Sequence, residues 1–170
     1  LTHLHSDHTL GLPDLLLTPG VMERPVPLEV YGPPGTKAMG RRIRQAWHED
    51  LACRLSGLEP GSPAGYALRV HEIKPGEVYR DRNLRVTAFP VRHGEWKHAF
   101  GYRFEAPDKT IVISGDTVPC ESLAQAAAGC DILVHEVYCR KGWEKRTPDW
   151  QRYHAASHTS APDLGRLAAR

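Results

Sequence analysis

The chain has 170 residues, of which 41% are hydrophobic and 25% charged, with a formal net charge of +2. That length and balance suit one globular domain with a real core and argue against a disordered chain. The small net charge does not announce a nucleic-acid binder, although a local basic patch remains compatible with it. In chain order, "LGLPDLLL" predicts a short helix and "VPLEVYG" a strand ending at Gly32. The next stretch, "PPGTKAMGRRIRQAWHEDLACRLSGLEPG", predicts a turn, a cap at Thr36 and a long helical segment that breaks before Pro60 and Gly61. Strands follow in "YALRVHEI", "LRVTAFPV", "FGYRFEA" and "TIVIS", all rich in β-branched and aromatic residues, with Gly76, Asn83 and "APDK" as the turns. "PCESLAQAAAGCD" predicts a helix bounded by Pro119 and Gly129, and "ILVHEVY" an apolar strand buried on both faces. "SAPDLGRLAAR" offers a Ser cap and then helix formers.

No repeat, low-complexity tract or linker interrupts this order, so the expectation is one α/β domain over residues 1–170. The apolar runs are too short to cross a bilayer, which predicts no membrane partner. Cys53, Cys120, Cys130 and Cys139 show no C-x-x-C spacing and read as free thiols. The chain starts without Met on what reads as the end of a strand, and it stops inside a helical pattern. The expectation is therefore a fragment, cytoplasmic, with an export signal ahead of residue 1 left open.

Chemistry concentrates at the start, where "LTHLHSDH" holds His3, His5, Asp7 and His8. Neutral imidazole offers a lone pair to a metal, and a carboxylate adds the negative charge that adjacent divalent ions need. In an extended segment residues two apart project to one side, so His3 and His5 can grip one ion. Asp7 and His8, where the chain turns, can face a second. An expression tag repeats one residue, whereas this cluster mixes Asp and Ser and runs straight into a helix.

The cluster resembles the H-x-H-x-D-H loop of the metallo-β-lactamase superfamily. "VRHGEWKHAFGYRFE" resembles that family's next histidine segment and "SGDTVPCESL" its bridging-aspartate segment. "HEVY" and "HAASHTS" resemble the later segments of its ribonuclease Z-like branch. The resemblance implies a metallo-β-lactamase-like αββα sandwich, here incomplete at both ends: it would lack the first strands and the C-terminal strand with the last metal-binding histidine. It implies two zinc ions as cofactors, one held by His3, His5 and His93, the other by Asp7 and His8, with Asp116 bridging them. It also implies hydrolysis by a hydroxide shared between the ions, Asp7 accepting a proton from the attacking water and His158 protonating the leaving oxygen. Glu136 would orient His158 and raise its basicity. The segment "RKGWEKRTPDWQRYH" interleaves cations with aromatic rings, so Trp143, Lys145 and His154 are expected at the rim of the substrate pocket, with a plain exposed loop as the alternative.

The implied function is a zinc-dependent hydrolase of a phosphodiester or other ester, resembling ribonuclease Z, which trims the tRNA 3′ trailer. Only a helix around "RRIRQAWHED" and a short "EPGSPAG" turn stand where a tRNA-clamping arm is expected between His8 and His93. Hydrolysis of a small ester, lactone or sulfate is therefore one alternative, and a non-catalytic nucleic-acid-binding module is another. The partner is accordingly an RNA or a small ester, with the oligomeric state open and a homodimer among the possibilities. His48, His71 and His98 have no partner at metal spacing and are expected to be structural or solvated.

Overall fold

Residues 1–169 are described by a computed structural model. The chain divides into two units, the first made of Leu1 and His3 to Ile73, the second of Thr2 and the residues from Lys74 onward.

In the first unit, a single 3-10 turn (Ser6–His8) leads into helix α1 (Leu12–Val21). Pro13 stands at the helix start, where a missing N–H costs nothing, Asp14 lies in the first turn, and a second proline, Pro19, lies inside the helix near its end. Strands β1 (Leu28–Gly32) and β2 (Leu68–Glu72) pair in parallel, Val30 opposite Val70. Parallel strands need a long crossover, and two helices supply it: α2 (Thr36–Ala46) and α3 (His48–Ser56). The expected single long helix is thus broken at Trp47, whose backbone turns out of helical geometry (ψ 26°). The expected cap at Thr36 is also corrected. Its hydroxyl donates to the Pro33 carbonyl at 2.6 Å, and the amides of Gly35 and Lys37 instead donate to the Glu72 carboxylate at 2.8 and 3.1 Å. A carboxylate at a helix N-terminus is electrostatically favoured, and it ties the crossover to β2. Leu12, Leu16, Val30, Leu51, Tyr66 and Ile73 are the buried hydrophobes of this unit.

The second unit is a five-stranded sheet in the order β3-β4-β5-β6-β7: β3 (Gly76–Arg80), β4 (Arg85–Pro90), β5 (Phe100–Glu105), β6 (Thr110–Ile113) and β7 (Ile132–Val134). The first four strands are antiparallel neighbours, and β7 joins β6 in parallel after a crossover through helix α4 (Glu121–Ala127). The β3–β4 turn is made by Asp81, whose Oδ1 accepts from the amides of Asn83 and Leu84. Phe89, Val91, Ala99, Val112 and Leu123 form the core, so α4 lies on the sheet through Leu123.

Three expectations fail here. Strand β3 was not foreseen, since Gly76 reads as a turn and Glu77, Tyr79 and Arg80 are exposed. The apolar "ILVHEVY" yields only three strand residues, and Ile132 and Val134 are 48% and 50% exposed rather than buried on both faces, because β7 is the outermost strand of the described sheet. The segment expected as a rim loop is largely helical, forming α5 (Arg140–Trp143) and α6 (Pro148–Ser157) before α7 (Ala161–Ala168). The cap of α7 is as expected, Ser160 accepting from the Asp163 amide.

Candidate metal centre

Within the first unit, His5 is extended (φ −61°, ψ 148°) and the chain then folds into the 3-10 turn, with the His8 amide donating to the His5 carbonyl at 3.1 Å. Thr9 fastens the same turn, its hydroxyl donating to the His5 carbonyl. The alternation of an extended segment therefore holds: His3 Nε2 and His5 Nδ1 lie 3.1 Å apart, and the His3 and His8 rings are 4.3 Å apart centre to centre. Two nitrogens on one tetrahedral zinc, with bonds of about 2.0–2.1 Å, stand about 3.3 Å apart, so the His3–His5 pair fits a shared ion. His3 is fully buried. Asp7 is the outlying member, 76% exposed, with its carboxylate 3.6 Å from His8 Nε2.

Within the second unit, His93 lies just beyond β4, Asp116 just beyond β6, and His158 just beyond α6. One ligand atom from each falls within 4.8 Å of the other two. His93 is 2% exposed, and its Nδ1 meets the Ser157 carbonyl at 2.8 Å. A carbonyl can only accept, so Nδ1 carries the proton and Nε2 carries the lone pair, the tautomer that suits a metal ligand fixed from behind. Gly94 makes this approach possible: its amide donates to the Ala156 carbonyl, its φ is +54°, and a Cβ there would stand 2.7 Å from Ser157 Oγ.

Two buried threonines tie the segments together. Thr117 Oγ1 accepts from the Arg92 amide beside His93, and Thr159 Oγ1 donates to the Thr117 carbonyl at 2.6 Å. Sequence reasoning does not single out Thr117 or Ser157. Ser157 acts through its carbonyl, which no residue type announces, while Thr117 follows Asp116 directly and that adjacency was the available signal.

His158 Nδ1 stands 3.3 Å from Glu136 Oε1 and 3.7 Å from Asp116 Oδ2, and the same Glu136 oxygen accepts from the Thr159 amide at 3.0 Å. The expected Glu136–His158 partnership is thus formed. His154 and His158 are four apart, but α6 ends at Ser157 and His158 is extended (φ −135°, ψ 166°), with the two rings 5.6 Å apart. His154 Nδ1 donates to the Trp150 carbonyl. Trp143 Nε1 donates to the Gln151 carbonyl, joining α5 to α6, and Lys145 is exposed between them. Trp143 and His154 line one small cavity with Tyr138, Cys139, Gly142 and Arg146. Burial raises the Tyr138 phenol above its ordinary value, and Asp163 adds to the shift, so the hydroxyl stays protonated at neutral pH.

Two of the remaining histidines have partners outside the candidate centre. His71 stacks on Tyr31 and bonds Glu29 at 2.7 Å, and His48 Nδ1 meets the Gln45 carbonyl. No helix among the described residues is long and apolar enough to cross a membrane.

A family model described as "Beta-lactamase superfamily domain" matches residues 1–169. Among curated proteins, the putative ribonuclease Z of Mycobacterium tuberculosis (strain CDC 1551 / Oshkosh) is 34% identical over 177 residues, covering 98% of this chain and 77% of its own length. Ribonuclease Z of Mycobacterium sp. (strain KMS) is 35% identical over 173 residues, covering 100% of this chain and 60% of its own. The chain thus spans about three fifths of most of these relatives. Among solved structures, human tRNase Z, short form, aligns with a TM-score of 0.65 at 22% identity, covering 95% of this chain and 72% of its own. The metallo-beta-lactamase fold protein YhfI from Bacillus subtilis aligns with 0.68 at 15%, covering 99% and 57%. At such identities these two likenesses establish the mixed α/β fold.

Proposed function

The chain belongs to the beta-lactamase superfamily, and from that premise we propose that it is the metal-binding body of a zinc-dependent, ribonuclease Z-like hydrolase that cleaves RNA phosphodiesters. His3, His5 and His93 would hold one zinc, Asp7 and His8 a second, and Asp116 both. Bound divalent ions would supply Lewis acidity toward water and the phosphoryl oxygens. The chain's own groups do the rest. His158 carries the proton that the leaving oxygen needs, and Glu136 fixes the ring from 3.3 Å away. Asp7 is the proton acceptor, its exposure leaving it accessible to solvent. Trp143, Lys145 and His154 receive the substrate chain beyond the scissile bond.

The observation that carries this reading is the meeting of His93, Asp116 and His158 ligand atoms within 4.8 Å, with the His93 tautomer already set by Ser157. The test pairs zinc analysis of the purified protein with hydrolysis of bis(p-nitrophenyl) phosphate. Zinc-dependent turnover that disappears in Asp116→Ala, with the melting temperature retained, is the expected result. A protein that takes up no zinc and stays inert when it is supplied overturns the proposal.

A further inference from the structure

Helix α2 carries Lys37, Arg41, Arg42 and Arg44 within eight residues and no acid in its first turn. Lys37, Arg41 and Arg44, spaced four and three apart, stand on one helical face, and together with Gln45 they line a groove of about 370 Å³ floored by Leu68 and Val70 of β2. Several cations elsewhere in the chain have carboxylate partners, although others, such as Arg82, stand exposed without one among the described residues. Arg54 pairs with Asp50, Arg69 with Glu29, Arg80 with Glu77, and Arg166 with Asp163. Among the described residues no carboxylate lies in ion-pair reach of Lys37, Arg41 or Arg44. The one nearby acid, Glu72, spends its oxygen on the backbone amides of Gly35 and Lys37. Like charges at these spacings repel and weaken a helix, so the fold gains nothing from the arrangement; an anionic ligand would.

We propose that this face of α2 is an RNA-binding surface that grips the phosphodiester backbone, through residues other than the candidate metal ligands and without regard to base sequence. Several features select this occupant. Three cations in a row match a repeating anion better than a single phosphate, and arginine forks suit phosphate oxygens. The groove holds no aromatic ring on which a base could stack, so contact stops at the backbone, which positions but does not specify. An anionic membrane is disfavoured because the helix has already used its inner face: a Cβ on Gly40 would stand 3.0 Å from Leu68 Cδ1, and Met39 and Ile43 are half-buried. The choice of RNA among polyanions rests on the hydrolase reading above, but its measurement does not.

The experiment is equilibrium binding of fluorescein-labelled oligouridylate, read by anisotropy across a salt series with a chelator present so that nothing is cleaved. In the variant Lys37→Gln/Arg41→Gln/Arg44→Gln, the slope of log affinity against log salt should fall by about 2, since each single-strand phosphate contact contributes roughly 0.7. Arg82→Gln, which removes an exposed cation from the β3–β4 turn, should keep the wild-type slope. Oligoadenylate of equal length should bind equally well. Glutamine preserves helix propensity, and circular dichroism checks it; should the triple variant misfold, Arg41→Gln/Arg44→Gln must still lose about 1.4 of slope. An unchanged slope, equal loss in Arg82→Gln, displacement of the oligouridylate by polyglutamate as readily as by RNA, or preferential binding to phosphatidylserine vesicles overturns the proposal. A metal-free, inert protein that binds RNA through α2 keeps this proposal and sinks the hydrolase reading. A zinc-dependent phosphodiesterase with an unchanged slope does the reverse.

Discussion

Replacing Gly94 by alanine tests how the His93 segment is held against the end of α6. Two costs combine there. The left-handed φ of +54° costs an L-residue about 1–2 kcal/mol, partly offset by about 0.4–1 kcal/mol from a stiffer unfolded chain. The new Cβ also stands 2.7 Å from Ser157 Oγ, and Ser157 is buried, so the hydroxyl has little room to turn away. Overpacking of this kind costs about 1–3 kcal/mol. Gly129→Ala is the matched control: its φ is +66°, yet nothing lies within 4 Å of the added carbon. Both variants share the backbone cost, so their difference isolates the clash. At about 2–4 °C per kcal/mol for a chain of this size, Gly94→Ala should melt roughly 2–12 °C below Gly129→Ala by circular dichroism. Coincident melting curves would refute the tight approach of Gly94 to Ser157.

Leu123→Ala removes the fully buried residue by which α4 grips the sheet, and urea unfolding should show a loss of about 2–5 kcal/mol; a loss under about 1 kcal/mol would mean that α4 is not anchored there. Glu136→Gln keeps an acceptor for the Thr159 amide but withdraws the charge facing His158. Turnover should fall about 10–100-fold with little change in melting temperature, and parallel losses of both would assign Glu136 to folding alone. The Ser160 hydroxyl, and then Arg166, hold the Asp163 carboxyl below its ordinary 3.8. A depressed carboxylate contributes stability above the unfolded value, which is lost as pH falls through the folded one. Wild type should therefore lose more urea resistance than Asp163→Asn as pH drops below 3.8, and identical pH dependence would contradict the shift.

What could be read from the sequence depended on how local the responsible physics is. His3 and His5 sit two residues apart in an extended segment, so spacing alone predicts that they meet, and the structure holds them at 3.1 Å. The Ser160 cap and the Asn83 turn are similarly local. Glu136 and His158 are 22 residues apart in the chain, and no local spacing rule joins them; only the family resemblance does, and in the structure they stand 3.3 Å apart. Strand β3 was illegible because its exposed Glu77, Tyr79 and Arg80 show no alternation; its structure comes from pairing with β4. Apolar content misled at Ile132 and Val134, since a strand at a sheet margin and one at its centre can share a composition. Thr36 looked like a cap because its type favours one, but Glu72, distant in sequence, took the amides.

The hold on His93 is written in main chain rather than in side chains, and this shapes how the protein can drift. Because the acceptor is the carbonyl of residue 157, a change of residue type there can leave the imidazole's orientation untouched so long as the newcomer fits beside Gly94. Inserting or deleting one residue in α6 would instead swing that carbonyl by about 100° around the helix axis. Descendants of this chain should thus vary freely in spelling across the end of α6 while keeping its length.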